Sequence, residues 1–400
     1  MTLTSREMVL KAMRLEDPGQ IPVFCQLAIG HTLLNSDVGP VEYNFTNEGY
    51  ARGLLQVREL YDFDGILLHK PGRDAGVRER TRVEQHPDGP LLVFEDGGKI
   101  LCTRNDDPKF WPPAGWLFPG FARADNPDSI EALRQLTGAD PLSQIPPSYR
   151  DWCLHKGLHF FTRIEDIPEY YYGAIDQVLA ASAGRWSIHG EVKAPMDYLM
   201  NILGIENALV AFIMDPDLCH AFMAKANEAI ITWALAQLRR GCDAIKISSP
   251  FAGGGFISRN HYIEFVKPHE QKLAQAVRAA GGIIYTHTCG AIGDRLDLIA
   301  ETGVNGIETL DPPPLGNVHL RDAKAQYGKR IFFKGNLDSV NVLLRGTKES
   351  VRQATQECLE IGAPGGGYIL STACSVAPAV APDNIKVMVE TVRAFSAQRN

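Results

Sequence analysis

Short apolar runs alternate along the chain with segments whose apolar residues recur every three to four positions, the signature of strands followed by amphipathic helices. Eight runs qualify as parallel strands: 21–25 (IPVFC), 65–69 (GILLH), 185–191 (RWSIHGE), 243–249 (DAIKISS), 282–288 (GIIYTHT), 306–310 (GIETL), 330–335 (RIFFKG) and 367–373 (GYILSTA). Eight strands joined by right-handed helical crossovers close a barrel, so the pattern predicts an α/β protein of the (β/α)8 TIM-barrel class. Two intervening helices are legible in detail. AIGDRLDLIAETG aligns Ile292, Leu296, Ile299 and Ala300 and stops at Gly303; PDNIKVMVETV opens on Pro382 and aligns Ile385, Met388, Val389 and Val392.

The alternation breaks between residues 70 and 183, a stretch too long for one crossover. TRVEQHPDGPLLVFEDGGKILCTR predicts strands joined by Pro-Asp-Gly and Asp-Gly-Gly turns, and a Trp- and Pro-rich segment, FWPPAGWLFPGF, follows. The expectation is a single barrel domain over 1–400 with an insertion at 72–183 made of a β-hairpin, a lid and helices. Trp111, Trp116 and Phe118 belong to that lid; Trp116 is a candidate substrate contact, with plain packing as the alternative.

Composition narrows the classes. Forty basic against forty-seven acidic residues give a net charge of −7 with no basic block, which argues against nucleic acid as a partner. The N-terminus runs charges through an amphipathic helical pattern with no long apolar segment, so no membrane partner and a cytoplasmic location are expected. Eight cysteines are spread without a CxxC pair, and most are expected to be reduced and buried.

Two of them invite chemistry. In a strand ending THTC, His287 and Cys289 are two apart and share a face at the C-terminal end, where barrels carry their active sites. Cys374 stands at the matching place after the last strand. One imidazole and two thiolates leave a tetrahedral zinc ion with one open position, the layout of a catalytic rather than a structural site. On spacing alone, core cysteines and a hydrogen-bonded interior histidine remain the alternative.

Four segments together resemble one family. THTCG (286–290), FFKGNLD (332–338), RNHYIEFVKPHEQKL (259–273) and STACSVAPAVAPDNIKVMVETV (371–392) are similar to the uroporphyrinogen decarboxylase superfamily, and specifically to its zinc-dependent, cobalamin-linked methyltransferase branch. The resemblance implies a (β/α)8 barrel, zinc on His287, Cys289 and Cys374, and methyl transfer between a corrinoid and a small thiol or methylated small molecule. The chain departs from the decarboxylases proper: IPVFCQLAIGH (21–31) has no arginine, and His69-Lys70-Pro71 stands where an aspartate is expected. Because no Asp-x-His-x-x-Gly corrinoid motif occurs, the cobalamin is expected on a separate corrinoid protein or as a free molecule.

Further candidates follow from strand ends. Glu308 is a candidate fourth metal ligand, with Asp311 as its competitor, and a carboxylate at the surface or behind the ligands is the equal alternative. Glu191 and Asp338 are candidate catalytic carboxylates, while His189, Asn336 and His69 are candidate substrate contacts; Asn336 and Asp338 equally suit an ordinary turn. The Gly-rich FAGGGFIS (251–258) lacks the Lys-Ser/Thr ending of a phosphate cradle. Two rival functions remain: a metal-free decarboxylase or lyase of a carboxylated ring compound, and a non-enzymatic corrinoid or tetrapyrrole carrier.

Overall fold

The computed structural model describes residues 3–114 and 146–399. Its main sheet is seven parallel strands in the order β1 (Gly65–Leu68), β6 (Ser187–Lys193), β7 (Ala244–Ser248), β8 (Ile283–Thr288), β9 (Gly306–Thr309), β10 (Phe332–Leu337) and β11 (Tyr368–Thr372). Each strand pairs with the next in chain order among these seven, with helices between. Seven of the eight expected strands therefore appear, and the sheet curls into a TIM barrel.

The eighth, at 21–25, is extended chain that closes the barrel without a regular ladder. Val23 and Leu27 bridge Leu370 and Val376 in parallel. The Phe24 and Leu370 amides bond across the seam to Leu370 O and Pro22 O, at 3.3 and 2.9 Å. Two features cut the ladder short. Pro22 has no N–H to give, and the Val23 N–H donates to the Asp64 side chain at 2.7 Å instead of to a strand carbonyl.

Between β1 and β6 lies a four-stranded antiparallel sheet: β2 (Thr81–His86), β3 (Gly89–Phe94), β4 (Lys99–Leu101) and β5 (Lys109–Trp111). The first three are joined at the two expected turns. The fourth arises from the Trp- and Pro-rich stretch, where no strand was predicted, and leaves Trp111 45% exposed. Trp116 and Phe118 lie outside the described residues. Between β6 and β7 the single expected crossover is three helices, Pro195–Leu203, Ile205–Met214 and Pro216–Arg240. The first two meet at 111° across Gly204, whose φ of +80° and ψ of 152° suit only glycine. Among the described residues no single helix is long and apolar enough to cross a membrane.

Barrel interiors are usually filled by branched apolar side chains. Here Lys246, Lys334, His189 and Tyr285 are wholly buried, and Glu308 and Glu191 nearly so. A buried ammonium is tolerable only against a partner. Lys246 pairs with Glu191 at 2.8 Å and lies 3.6 Å from Glu308, while Lys334 bonds to Glu308. The barrel's middle is thus an ionic network, directly beneath the strand ends.

Candidate metal centre

The sequence places three soft donors on two strand ends, and the fold brings them together. His287 is the penultimate residue of β8, Cys289 follows that strand and Cys374 follows β11. His287 Nε2 lies 3.3 Å from Cys289 Sγ, and the two sulfurs are 3.7 Å apart. All three donor atoms fall within 4.8 Å of one another. A tetrahedral ion with Zn–S bonds of about 2.3 Å sets its sulfurs roughly 3.8 Å apart and a nitrogen roughly 3.6 Å from each. The donor set fits zinc in chemistry and in spacing. The histidine is buried and the cysteines half-exposed, so the cluster faces the barrel mouth.

The surroundings hold the cluster in place. His287 Nδ1 donates to Glu308 Oε2 at 3.1 Å, which leaves Nε2 with its lone pair toward the sulfurs. Burial and Lys246 press His287 toward its neutral form, yet hydrogen bonds to Cys374 and Glu308 outweigh them and raise its pKa. Burial alone would raise the Glu308 pKa; the Lys334 and Lys246 ammonium groups instead hold it well below the usual carboxylate range. The Cys289–Cys374 hydrogen bond lowers the pKa of the Cys374 thiol and raises that of Cys289. The Gly-rich loop backs the turn: a Cβ on Gly253 would stand 2.3 Å from Cys289 O, and the Gly254 amide donates to Ala291 O at 2.7 Å.

The other sequence candidates divide. Glu308 sits behind His287, where Lys334, Lys246 and the imidazole occupy its carboxylate. Asp311 accepts from the Gly290 amide at 2.6 Å and so fixes the turn after Cys289; burial lifts its pKa to about 6. Glu191 is paired with Lys193 at 3.0 Å and with Lys246, and although burial opposes it, those ammonium groups bring its pKa down to about 2. A carboxylate so stabilised is a poor base.

Asp338, the other candidate catalytic carboxylate, caps the helical turn after β10, accepting from the Val340 and Asn341 amides at 2.9 and 2.8 Å. Asn336 donates to Leu310 O at 2.9 Å, a tie between strand ends. His189, a candidate substrate contact, is buried in the barrel with both nitrogens satisfied, by Tyr285 OH at 2.9 Å and Ser187 Oγ at 3.0 Å. His69 stands at the mouth, with Nδ1 3.2 Å from Tyr50 OH and Nε2 without a partner.

The residues that sequence reasoning missed are the lysines. Lys246 and Lys334 stand mid-strand in IKI and FFKG, with inward parity. A lone lysine inside a run otherwise buried on both faces was the available signal.

An α/β barrel with a thiolate–imidazole cluster at its mouth and an ionic interior defines the class. The chain belongs to the uroporphyrinogen decarboxylase family, whose model matches residues 155–395, more than half its length. Among curated relatives it is 26% identical over 221 residues to a methylated-thiol–coenzyme M methyltransferase of Methanosarcina mazei, covering 55% of this chain and 57% of that one. It is 30% identical over 192 residues to a uroporphyrinogen decarboxylase of Chlorobium limicola, covering 46% and 51%. It is 25% identical over 202 residues to a methylcobamide:CoM methyltransferase of Methanosarcina barkeri, covering 50% and 56%. The chain thus spans about half the length of the curated relatives it matches. A solved methyltransferase from Methanosarcina mazei superposes with a TM-score of 0.70 at 19% identity, over 98% of this chain and 99% of that one, and so shares the fold. The relatives are enzymes of two kinds, methyltransferases and decarboxylases.

Proposed function

We propose that this protein is a zinc-dependent methyltransferase that moves a methyl group between a corrinoid and a small thiol or methylated small molecule. The observation that carries the reading is the His287–Cys289–Cys374 cluster, whose 3.7 Å sulfur separation matches two corners of a zinc tetrahedron. The relatives named as methylcobamide and methylated-thiol methyltransferases support it. The decarboxylase relatives are as similar, but His69-Lys70-Pro71 replaces the acid expected there of a decarboxylase.

When bound, zinc supplies Lewis acidity that makes a substrate thiol a thiolate at neutral pH. The chain's own residues do the rest. His287, Cys289 and Cys374 hold the ion and leave one position open. Glu308 fixes the imidazole's orientation, and Lys334 and Lys246 keep Glu308 ionised. The half-exposed sulfurs face the mouth, where a corrinoid on a separate protein, or free, would meet the substrate.

The test is zinc content followed by turnover. Wild type should hold near-stoichiometric zinc, and Cys289→Ser and Cys374→Ser should lose at least about tenfold in zinc affinity. Demethylation of methylcobalamin, followed by its absorbance with a panel of thiols, should then require zinc. A zinc-free wild type, or release of carbon dioxide from a carboxylated ring compound with no methyl transfer, sinks the proposal.

A further inference from the structure

Six residues past Cys289 the chain buries an arginine. Arg295 ends a short helical turn, Gly293–Arg295, and is 1% exposed. Placing a guanidinium that deep is costly unless its donors find acceptors. One edge is answered by its neighbour: Nε and Nη2 donate to the two oxygens of the Asp294 carboxylate at 2.9 and 3.1 Å. The Asp294 side chain is half-exposed, so this pairing alone gives the arginine no reason to leave the surface. A Tyr262 ring centred 5.8 Å from Cζ adds a weak contact. The remaining nitrogen supplies the reason. Nη1 donates to Ala252 O at 2.8 Å and to Ile257 O at 3.2 Å, both in the Gly-rich loop after β7.

That loop is the wall against which the Cys289 turn rests. Between the two carbonyls that Arg295 holds lie Gly253, Gly254 and Gly255, three successive residues with little backbone stiffness of their own. Gly253 lies so close to Cys289 O that a Cβ there would stand 2.3 Å from it, and the Gly254 amide donates to Ala291 O at 2.7 Å. At the start of the loop the Ser249 amide donates to His287 O at 2.8 Å. The contacts form a closed circuit. It runs from Cys289 along the chain to Arg295, across Nη1 to the loop, and back through Gly253 and Gly254 to the turn. Because Asp294 neutralises the guanidinium, what Arg295 gives the sulfurs is place rather than charge.

We infer that Arg295 is a positioning residue for the metal cluster: its Nη1 pins the loop after β7, and the pinned loop sets Cys289 against His287 and Cys374. A planar guanidinium engages a carboxylate along one edge and two carbonyls through its other nitrogen, which an ammonium does not reproduce. That the cluster so placed holds zinc rests on the proposed function; the pinning of the turn does not.

The test compares wild type with Arg295→Met and Arg295→Lys, and uses Val392→Ala as a control for general loss of stability. Val392 is wholly buried beside Arg393, whose partner Asp64 precedes β1, at the end of the barrel away from the mouth. In protein stripped of metal, amide exchange over residues 286–292, measured relative to that over β7, should quicken about tenfold in Arg295→Met, less in Arg295→Lys and not at all in Val392→Ala. Zinc affinity, by competition with a chelator, should fall about tenfold in Arg295→Met and stay unchanged in Val392→Ala, although the control's urea midpoint drops. Cobalt(II) in place of zinc should give a shifted and weaker visible band in Arg295→Met, the sign of a distorted tetrahedron. Should Arg295→Met not fold, Arg295→Lys decides by the same measures. Turn exchange within twofold of wild type in the arginine variants overturns the inference, as does an equal quickening, or an equal loss of zinc affinity, in Val392→Ala. A wild type that binds neither metal, with a turn that loosens only in the arginine variants, removes the zinc reading and leaves the pinning standing.

Discussion

At the scale of single residues, the decisive group besides the donors is Glu308. Its carboxylate is wedged between Lys334, Lys246 and His287, so one substitution disturbs three partners. Glu308→Gln keeps the shape and removes the charge. The imidazole loses its anionic partner, and zinc affinity should fall about 10- to 100-fold by competition with a chelator. Two buried ammonium groups lose their neutralising charge, and unfolding free energy should drop by about 3 kcal/mol in urea titration. An unchanged urea midpoint would mean Lys334 and Lys246 have another counterion. A second residue-scale expectation concerns pH. Burial lowers the pKa of His189 and His159 to about 3, and each is less than 3% exposed. Their folded values lie below the unfolded one, so each stays neutral in the fold but takes a proton on unfolding as pH drops. Between about pH 6.5 and 3 each should therefore cost about 1.4 kcal/mol of stability per pH unit. Replacing His159 with Phe, within the cluster it forms with Tyr198 and Trp233, should flatten the acid limb of the stability curve.

At the scale of elements, the turn after β8 is held by the loop after β7. Gly253 lies so close to Cys289 O that any Cβ must push the turn away. Gly253→Ala should leave the far-ultraviolet circular dichroism intact and weaken zinc binding about tenfold, with a smaller loss of stability than Glu308→Gln. Equal zinc affinity would show that the Cys289 turn relaxes freely. The role of this loop was not legible in FAGGGFIS, because no local pattern reports a long-range backbone contact between loops. What was legible were features fixed by local period and parity: the shared face of His287 and Cys289, the helix opening at Pro382, and the turns of the inserted sheet. The strand at 21–25 was overread, since its apolar run satisfies the periodicity while Pro22 and the side chain of Asp64 divert its hydrogen bonds. Strand β5 was underread for the opposite reason, as Trp and Pro hid an edge strand that only pairing with β4 creates. Glu308 was legible as a strand-end carboxylate, whereas its lysine partners were not, because they come from strands β7 and β10.

At the scale of the whole molecule, the barrel is closed where its first and last elements meet, and Asp64 is the pin. It is wholly buried, one residue before β1. One oxygen accepts from the Val23 amide at 2.7 Å and pairs with Arg393 at 2.9 Å; the other accepts from Ser5 Oγ at 2.6 Å. Three regions distant in sequence, the N-terminal helix, the closing segment and the C-terminal helix, therefore converge on one carboxylate. Because the 21–27 segment has few ladder bonds of its own, its position depends on this side chain more than a regular strand's would. Asp64→Asn keeps the size but supplies one acceptor where three donors need two, and leaves Arg393, which is about one-third exposed, without its buried counterion. The expected cost is about 3 kcal/mol, a large share of the stability of an ordinary domain. The loss should be local before it is global: amide exchange at Phe24 and Leu370 should quicken well ahead of that at Ile245 and Ile284 in β7 and β8. Since Val376, two residues past Cys374, bonds to Gln26 O at 2.9 Å, a loosened seam should also weaken zinc binding. Uniform acceleration of exchange across all strands would instead make the seam part of the same cooperative unit as the rest of the barrel.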